Sequence, residues 1–501
     1  MFKHFPVIYF LLTCAVCNAN YDFNDPCKKA YQSIVNLQFD AGKTLLENEK
    51  KVHPENLIPY YIENYIDFLS LAICEEREKY KTLQSDENNC LAKLEEGDQA
   101  SPYYRYCLAE VKMQWGFLRL KFGDYLSAAW ELNKAFNLLQ KNSELFPAFI
   151  PNHKGLGVLH AMIGAVPEEY KWITNIIGIR GTIKQGIDEL SIVLNVASKQ
   201  KEYDYLKTES IFLLTFLELN LLNNSDDLNK ISALLKDPSF ITSPGEKPLV
   251  LYATASIALK SGKNDEAIAA LQQFNTSSES YFPFFYLDYL TGVAKLNRMD
   301  KDAYKYFFRF LINFKGINYI KAAYQKLSWC YLLNDDLQNY KKYNAYVIKQ
   351  GSTLVDEDKQ ALSDAKRNET PNVQLLKARL LFDGGYYPQA MTVMLQKKPS
   401  DFLKTDKDLL EFTYRLARIH HQSGNIVSAI SYYQLTIKNG TDKPYYFAAN
   451  SALNLGLIYE LQGKYSLART CFTQAMSFKN TEYKNSIELK AKAGLNRIAG
   501  K

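Results

Sequence analysis

The chain has 501 residues, of which 47% are hydrophobic and 23% charged, proportions of a folded protein that exclude wholesale disorder. Its length exceeds what one ordinary core serves, so two to four domains or a single elongated solenoid is expected. The 60 basic and 54 acidic residues leave a net charge of +6 with no basic block, which excludes the electrostatic footprint of a nucleic-acid binder. With 36 Tyr and 28 Phe but only 16 Pro and 23 Gly, long helices are favoured over turn-rich sandwiches.

At the N-terminus, Lys3 and His4 precede an apolar run from Phe5 to Val16, and small residues follow, ending in Cys17-Asn18-Ala19. This is the layout of a signal peptide over residues 1–19, cleaved after Ala19. A membrane anchor would need about 20 apolar residues and stronger flanking charge. Neither Cys14 nor Cys17 follows the small pair that precedes a lipidated cysteine. Further on, the most apolar stretch, Ile211 to Leu222, is short and contains Glu218. The mature chain is therefore expected in the periplasm or secreted, without a transmembrane segment; peripheral association with the envelope is compatible with that reading.

Four of the cysteines that survive cleavage crowd into the first part of the mature chain, and none forms a C-x-x-C pair that would suggest metal. In an antiparallel hairpin, residues equidistant from the turn face each other. Cys90 and Cys107 are symmetric about Gly97-Asp98-Gln99, and Cys27 and Cys74 nearly so about Lys51-Val52-His53-Pro54. Both pairs are predicted as disulfides stapling one hairpin each; the alternative is unpaired core cysteines.

Residues 20–240 read as an N-terminal helical domain with degenerate repeats, for instance Gly116 with Gly123, Tyr125, Ala128 and Ala135. Within it, residues 147–190 change character, with glycines at 155, 157, 164, 178, 181 and 186. They serve either close helix packing and tight reversals or a binding site. Asp237-Pro238 and Ser243-Pro244-Gly245 then break helical periodicity, and an array over residues 248–501 is expected to follow.

In that array the first copies are loose: Ala255 with Gly262 and Ala267, Thr291 with Ala303 and Phe307, and Ser328 with Tyr331. The Ser328 copy carries Tyr340 where a small residue is expected, so its hairpin should open or shift. After the charged stretch from Lys349 to Pro371 come Ala378, Gly385, Tyr387, Ala390 and Met394; then Ala417, Gly424, Ile426, Ala429 and Tyr433; then Gly456, Tyr459, Gly463, Tyr465, Ala468, Phe472 and Ala475. Positions 378, 417 and 456 are each 39 residues apart, against about 34 for the usual tetratricopeptide unit. The small residues allow two helices of a hairpin to approach, the aromatics fill the space between them, and the glycine ends the first helix. This pattern resembles the tetratricopeptide repeat and predicts an all-α chain of helical hairpins stacked into an α-solenoid.

Pro167, Gly178, Gly181 and Gly186 resemble the proline-and-glycine signature of the Iml2/TTC39-type tetratricopeptide family. With the signal peptide and the Asn-, Lys- and Tyr-rich composition, the chain is more similar to exported tetratricopeptide proteins of Bacteroidota. The resemblance implies a helical interaction protein and supplies no reaction.

No catalytic constellation assembles. His153 and His160 stand two helical turns apart with no ligand between them, and G-x-S-x-G, H-E-x-x-H and phosphate-loop motifs are missing. No cofactor and no metal is expected. In a tetratricopeptide hairpin the second, fifth, ninth and twelfth positions of the first helix line a groove. In the last three copies these include Asn372, Arg379 and Phe382; Tyr414, Arg418 and His421; and Asn450 and Glu460. Arg379 and Arg418 hold the same position in successive copies, and guanidinium forks suit an anionic group. The expected function is a non-catalytic scaffold in the cell envelope that binds a protein or peptide. The alternative is a glycan-binding uptake component resembling the starch-binding outer-membrane proteins.

Overall fold

The computed structural model describes residues 20–166, 180–222, 225–238, 243, 247–274, 279–479 and 482–501. The expected signal peptide, and Pro167 and Gly178 of the signature, lie outside the described residues. Among the described residues every regular element is helical, and the chain is all-α. The β-type backbone pairing is an isolated bridge between Asn20 and Asn56.

Two compact units emerge, the first holding the chain up to Ala253 together with Phe274–Phe284. Its helices are α1 (Asp25–Val35), α2 (Phe39–Val52), α3 (Ile58–Cys74), α4 (Arg77–Leu94), α5 (Pro102–Phe122), α6 (Tyr125–Leu145), α7 (Asn152–Gly164), α8 (Ile183–Lys199), α9 (Lys207–Leu217) and α10 (Ser225–Lys236). Local chemistry sets their ends. Asn24 caps α1 by accepting from the Cys27 amide; Ser101 caps α5 just before Pro102; Gly123, at φ 93°, ends α5. Where α7 meets α8, a Cβ on Gly186 would lie 2.2 Å from the Gly157 carbonyl oxygen, so the described glycines here serve backbone contact between helices.

The core of this unit holds a lysine. Lys154 on α7 has a side chain only 1% exposed; its ammonium lies 2.8 Å from Glu110 on α5 and 3.0 Å from Glu209 on α9. It also donates to the hydroxyls of Tyr31 and Tyr65 at 3.1 Å each, and both hydroxyls donate to Glu209. His160 pairs with Glu189 at 2.7 Å, an ordinary satisfied histidine.

The cysteine pairing is corrected. Cys27, Cys74, Cys90 and Cys107 are all free thiols. The first hairpin turns at Asn36-Leu37-Gln38, where Leu37 adopts φ 63°, and not at residues 51–54. Cys27 consequently lies beside Asn56, whose amide donates to its sulfur at 3.7 Å, just before α3 begins. Cys74 ends α3, about 25 Å away at 1.5 Å per residue, far beyond the ~7 Å reach of a disulfide. Cys90 and Cys107 do flank the turn between α4 and α5, but the Cys90 thiol donates to the Tyr60 carbonyl on α3 at 3.5 Å.

The second unit holds Thr254–Gln273 and Phe285–Lys501. Its helices are α11 (Pro248–Lys260, which begins in the first unit), α12 (Asn264–Leu271), α13 (Tyr286–Asn297), α14 (Ala303–Asn313), α15 (Ile320–Leu333), α16 (Leu337–Lys349), α17 (Asp356–Arg367), α18 (Val373–Asp383), α19 (Tyr387–Leu395), α20 (Pro399–Phe402), α21 (Asp406–Gln422), α22 (Ile426–Gly440), α23 (Phe447–Leu461), α24 (Tyr465–Ser477) and α25 (Lys484–Arg497). Successive hairpins turn on a left-handed residue: Gly262, Met299, Asp335, Gly385, Gly424 and Gly463. Met299 and Asp335 show that the turn is required even where glycine is not written.

Small residues sit where the hairpins close. Ala378, Ala390, Ala417, Ala429 and Ala468 are fully buried, and a Cβ on Gly456 would lie 2.5 Å from the Phe472 ring. The Ser328 hairpin does not open: α15 and α16 stay packed, and the buried Tyr340 reaches out to the Glu369 carbonyl. The charged stretch after Lys349 forms α17, packed on both. Asp358 of α17 accepts from the Tyr319 and Ala322 amides at 2.6 and 2.9 Å, supplying from a distant segment the cap that α15 lacks.

Candidate functional site

A cavity of ≈470 Å³ lies in the second unit. Helices α15 to α18 and α21 supply most of its wall, and residues 369–372, Lys404, Thr405, Tyr446, Phe447, Glu482 and Tyr483 complete it. Its lining follows helical arithmetic. Asn372, Leu376 and Arg379 on or just before α18 are four and three residues apart, so they share one face; Glu411 and Arg415 on α21 occupy the same face one hairpin on.

Cations stand on aromatic rings at this wall and behind it. Arg379 lies 5.3 Å from the ring centre of Trp329, which also lines the cavity; outside the lining, Lys326 lies 4.3 Å from the same ring centre and Arg418 lies 4.2 Å from that of Phe382. Arg379 and Arg418 thus each lean on an aromatic of the preceding helical hairpin, a contact worth about 0.5–2 kcal/mol depending on exposure. Arg415 is paired with Glu411 at 2.8 Å, and Arg367 with Asp364 and Glu482. Arg379 reaches only Asp383, at 3.8 Å. Lys326, Arg418 and Lys490 have no carboxylate within ion-pair distance among the described residues.

This concentration of charge shows in the titration behaviour. Burial, and next the charge of Arg379, push the Lys326 ammonium down to about 8. Lys490 is lowered by burial and then by Lys260 and Arg418. Asp383 is the acid whose charge acts on Lys326, Arg379, Arg415 and Arg418 alike. Partly buried cations sharing one acid are costly to hold and mark a candidate binding region.

The expected groove residues divide. Asn372 and Arg379 line the cavity, Asn372 also capping α18 by accepting from Gln374 and Leu375 amides. Phe382 and Tyr414 are core residues, 6% and 1% exposed. Asn450 donates to the Tyr414 hydroxyl at 2.8 Å, and His421 contacts the Tyr433 hydroxyl at 3.3 Å, its imidazole lowered by burial and then Arg418. Glu460 is held by Arg497 through two bonds of 2.7 Å. The fifth position, Leu375 and Tyr414, therefore faces the hairpin interior in α18 and α21, and the sixth, Leu376 and Arg415, faces the cavity. Arg415 was missed for this reason, although the spacing 372, 376, 379 carried the signal.

No family model and no curated protein matches the chain. Among solved structures it is similar to the tetratricopeptide domain of P58(IPK), at 14% identity over 85% of this chain and 98% of that one, TM-score 0.23. It is similar also to yeast Tom70, at 13% identity over 86% and 96%, TM-score 0.23. A third is the Cut9–Hcn1 hetero-tetramer of APC/C, at 12% identity over 93% and 95%, TM-score 0.26. Likenesses at this level leave the fold to rest on the hairpins described above.

Proposed function

We propose that this chain is a non-catalytic scaffold that seats a segment of a partner protein in the cavity of its C-terminal hairpins. The carrying observation is the cavity itself: ≈470 Å³, walled by several consecutive helices, with Trp329 and Tyr446 beside arginines. Aromatic and arginine side chains of this kind dominate protein-recognition surfaces. A glycan reading is less well served, because a sugar stacks on an open ring face, and Trp329 is 5% exposed with Lys326 and Arg379 over its ring.

Export to the periplasm or medium belongs to the same proposal. It is supported by the layout of residues 1–19, where Lys3 and His4 precede an apolar run and small residues end at Ala19.

The test is a photo-reactive residue placed at Asn344, which lines the cavity, in the full-length protein in cells. Capture of a defined polypeptide there, and not from the exposed Gln338 on the same helix, is the expected result. Equal capture from both positions, or none from Asn344, would overturn it.

A further inference from the structure

As many acids as cations line the cavity, and most of them are closed on one another. Glu411 is engaged by Arg415 at 2.8 Å, Glu369 by Lys407 at 2.6 Å, and Asp364 and Glu482 both by Arg367. Asp408 accepts from the Lys404 amide at 3.0 Å, while the Lys404 side chain is open to water. A ligand of either net charge would meet as many like charges as opposite ones. Its carboxylates or ammoniums could gain most of these partners only by breaking pairs already made. What the pairs leave over is mostly neutral. Among the described residues the side chains of Asn344, Tyr446 and Tyr483 make no hydrogen bond; nor does the Arg379 guanidinium, which lies 3.8 Å from Asp383 and over the Trp329 ring. Asn344 and Tyr446 are half-buried, and the Tyr446 and Tyr483 rings meet edge to face at 4.9 Å. All four side chains can donate, and a half-buried donor without an acceptor is unfavourable.

We infer that the cavity takes an uncharged stretch of polypeptide, held by its main-chain carbonyls on Arg379, Asn344 and Tyr483 and by an apolar or aromatic side chain against the rings of Tyr446 and Tyr483. This rests on the reading that the cavity seats a polypeptide. Every residue of an extended chain carries a carbonyl oxygen, and the chain advances about 3.3 Å per residue, so acceptors recur along the stretch whatever its side chains. A neutral glycan is less well matched. Its hydroxyls donate as well as accept, and the lining carboxylates that would receive them already serve the protein's own donors.

The test pans a phage-displayed library of random nonapeptides against the immobilised full-length protein, sequences the recovered pool, and measures the affinity of one recovered peptide after synthesis. In the aligned core of the pool, Asp, Glu, Lys and Arg should be depleted at least about fivefold against the input, as withdrawing an unpaired charge from water requires. The synthetic peptide should bind equally at low and high salt. N344A/Y483F should weaken it about tenfold, as loss of two neutral hydrogen bonds does, while K184Q on the exposed face of α8 should not. Retained helical ellipticity and melting confirm that the double variant is folded; if it is not, the pool composition and salt dependence of the unaltered protein decide. A pool enriched in acidic or in basic residues, or an affinity that falls steeply with salt, overturns the uncharged assignment and leaves the polypeptide site standing. Unchanged affinity in a folded N344A/Y483F also overturns it, as does displacement of the peptide by equimolar maltohexaose or cellohexaose. If the library yields nothing while the Asn344 cross-link captures polypeptide, mass-spectrometric sequencing of the attached segment decides: an uncharged segment upholds the inference and a charged one overturns it. An empty library together with a silent cross-link overturns the underlying reading.

Discussion

The Lys154 ammonium lies 2.8 Å from a Glu110 carboxylate oxygen, with both side chains withdrawn from water. Through Glu209, Tyr31 and Tyr65 the same ammonium ties α7 to α5, α9, α1 and α3. One cation between two carboxylates leaves an excess negative charge in the core, and the fold accommodates it by holding a proton. Burial first, and the charge of Glu209 with it, push the Glu110 carboxyl up to about 7, against the opposing pull of Lys154.

Replacing Lys154 by Met would strand both acids. The loss should be about 3–5 kcal/mol of unfolding free energy, read from urea denaturation of the full chain. K154M/E209Q should recover part of it, since only one carboxyl then remains and it can stay protonated. A single variant as stable as the parent would show that the lysine is not paired as described.

The same group sets a pH dependence. Glu110 titrates at about 7 in the fold against an ordinary value of 4.5, so between these limits the folded chain holds a proton that the unfolded chain has released. Its contribution is therefore fully present below about 4.5 and lost as pH rises through about 7, with a slope of up to about 1.4 kcal/mol per pH unit. E110Q should flatten the stability profile across that window. An identical profile in the variant would refute the assignment.

Asp358 closes the N-terminus of α15 from α17, accepting two amides while fully buried. D358A should cost about 1–2 kcal/mol, and D358N, which keeps one acceptor oxygen, less. Thermal unfolding of the two variants side by side checks the order, and a reversed order would remove the capping role.

Two turn glycines separate strain from collision. A Cβ on Gly385, at φ 83°, would lie 1.8 Å from the Gly262 carbonyl oxygen, whereas one on Gly463, at φ 72°, meets nothing within 4 Å. G463A should cost about 1–2 kcal/mol, the strain of a left-handed non-glycine residue. G385A should cost clearly more, because two turns must separate. Equal shifts in melting temperature would mean that the turns do not touch.

Much of the second unit was legible in the chain. Ala378, Ala390, Ala417, Ala429, Gly456 and Ala468 are buried where hairpins close, and Gly385, Gly424 and Gly463 turn left-handed where the first helix had to end. These are local requirements, met within one hairpin and repeated, so the spacing of small side chains and glycines carries them. The cavity face was legible only in part. Tyr414 and Arg415 are neighbours, and a rotation of 100° decides which is core and which lines the cavity.

What tertiary structure alone decided are the pairings between distant helices. Cys27 belongs beside Asn56 and not Cys74, because an unmarked turn at Leu37 set the first hairpin. Lys154 finds Glu110 and Glu209, and Asp358 finds the start of α15, with no periodicity announcing either. A repeat specifies how a helix meets its neighbour in the chain, since that contact recurs. A buried charge is satisfied once, by whichever helix the completed packing brings to it.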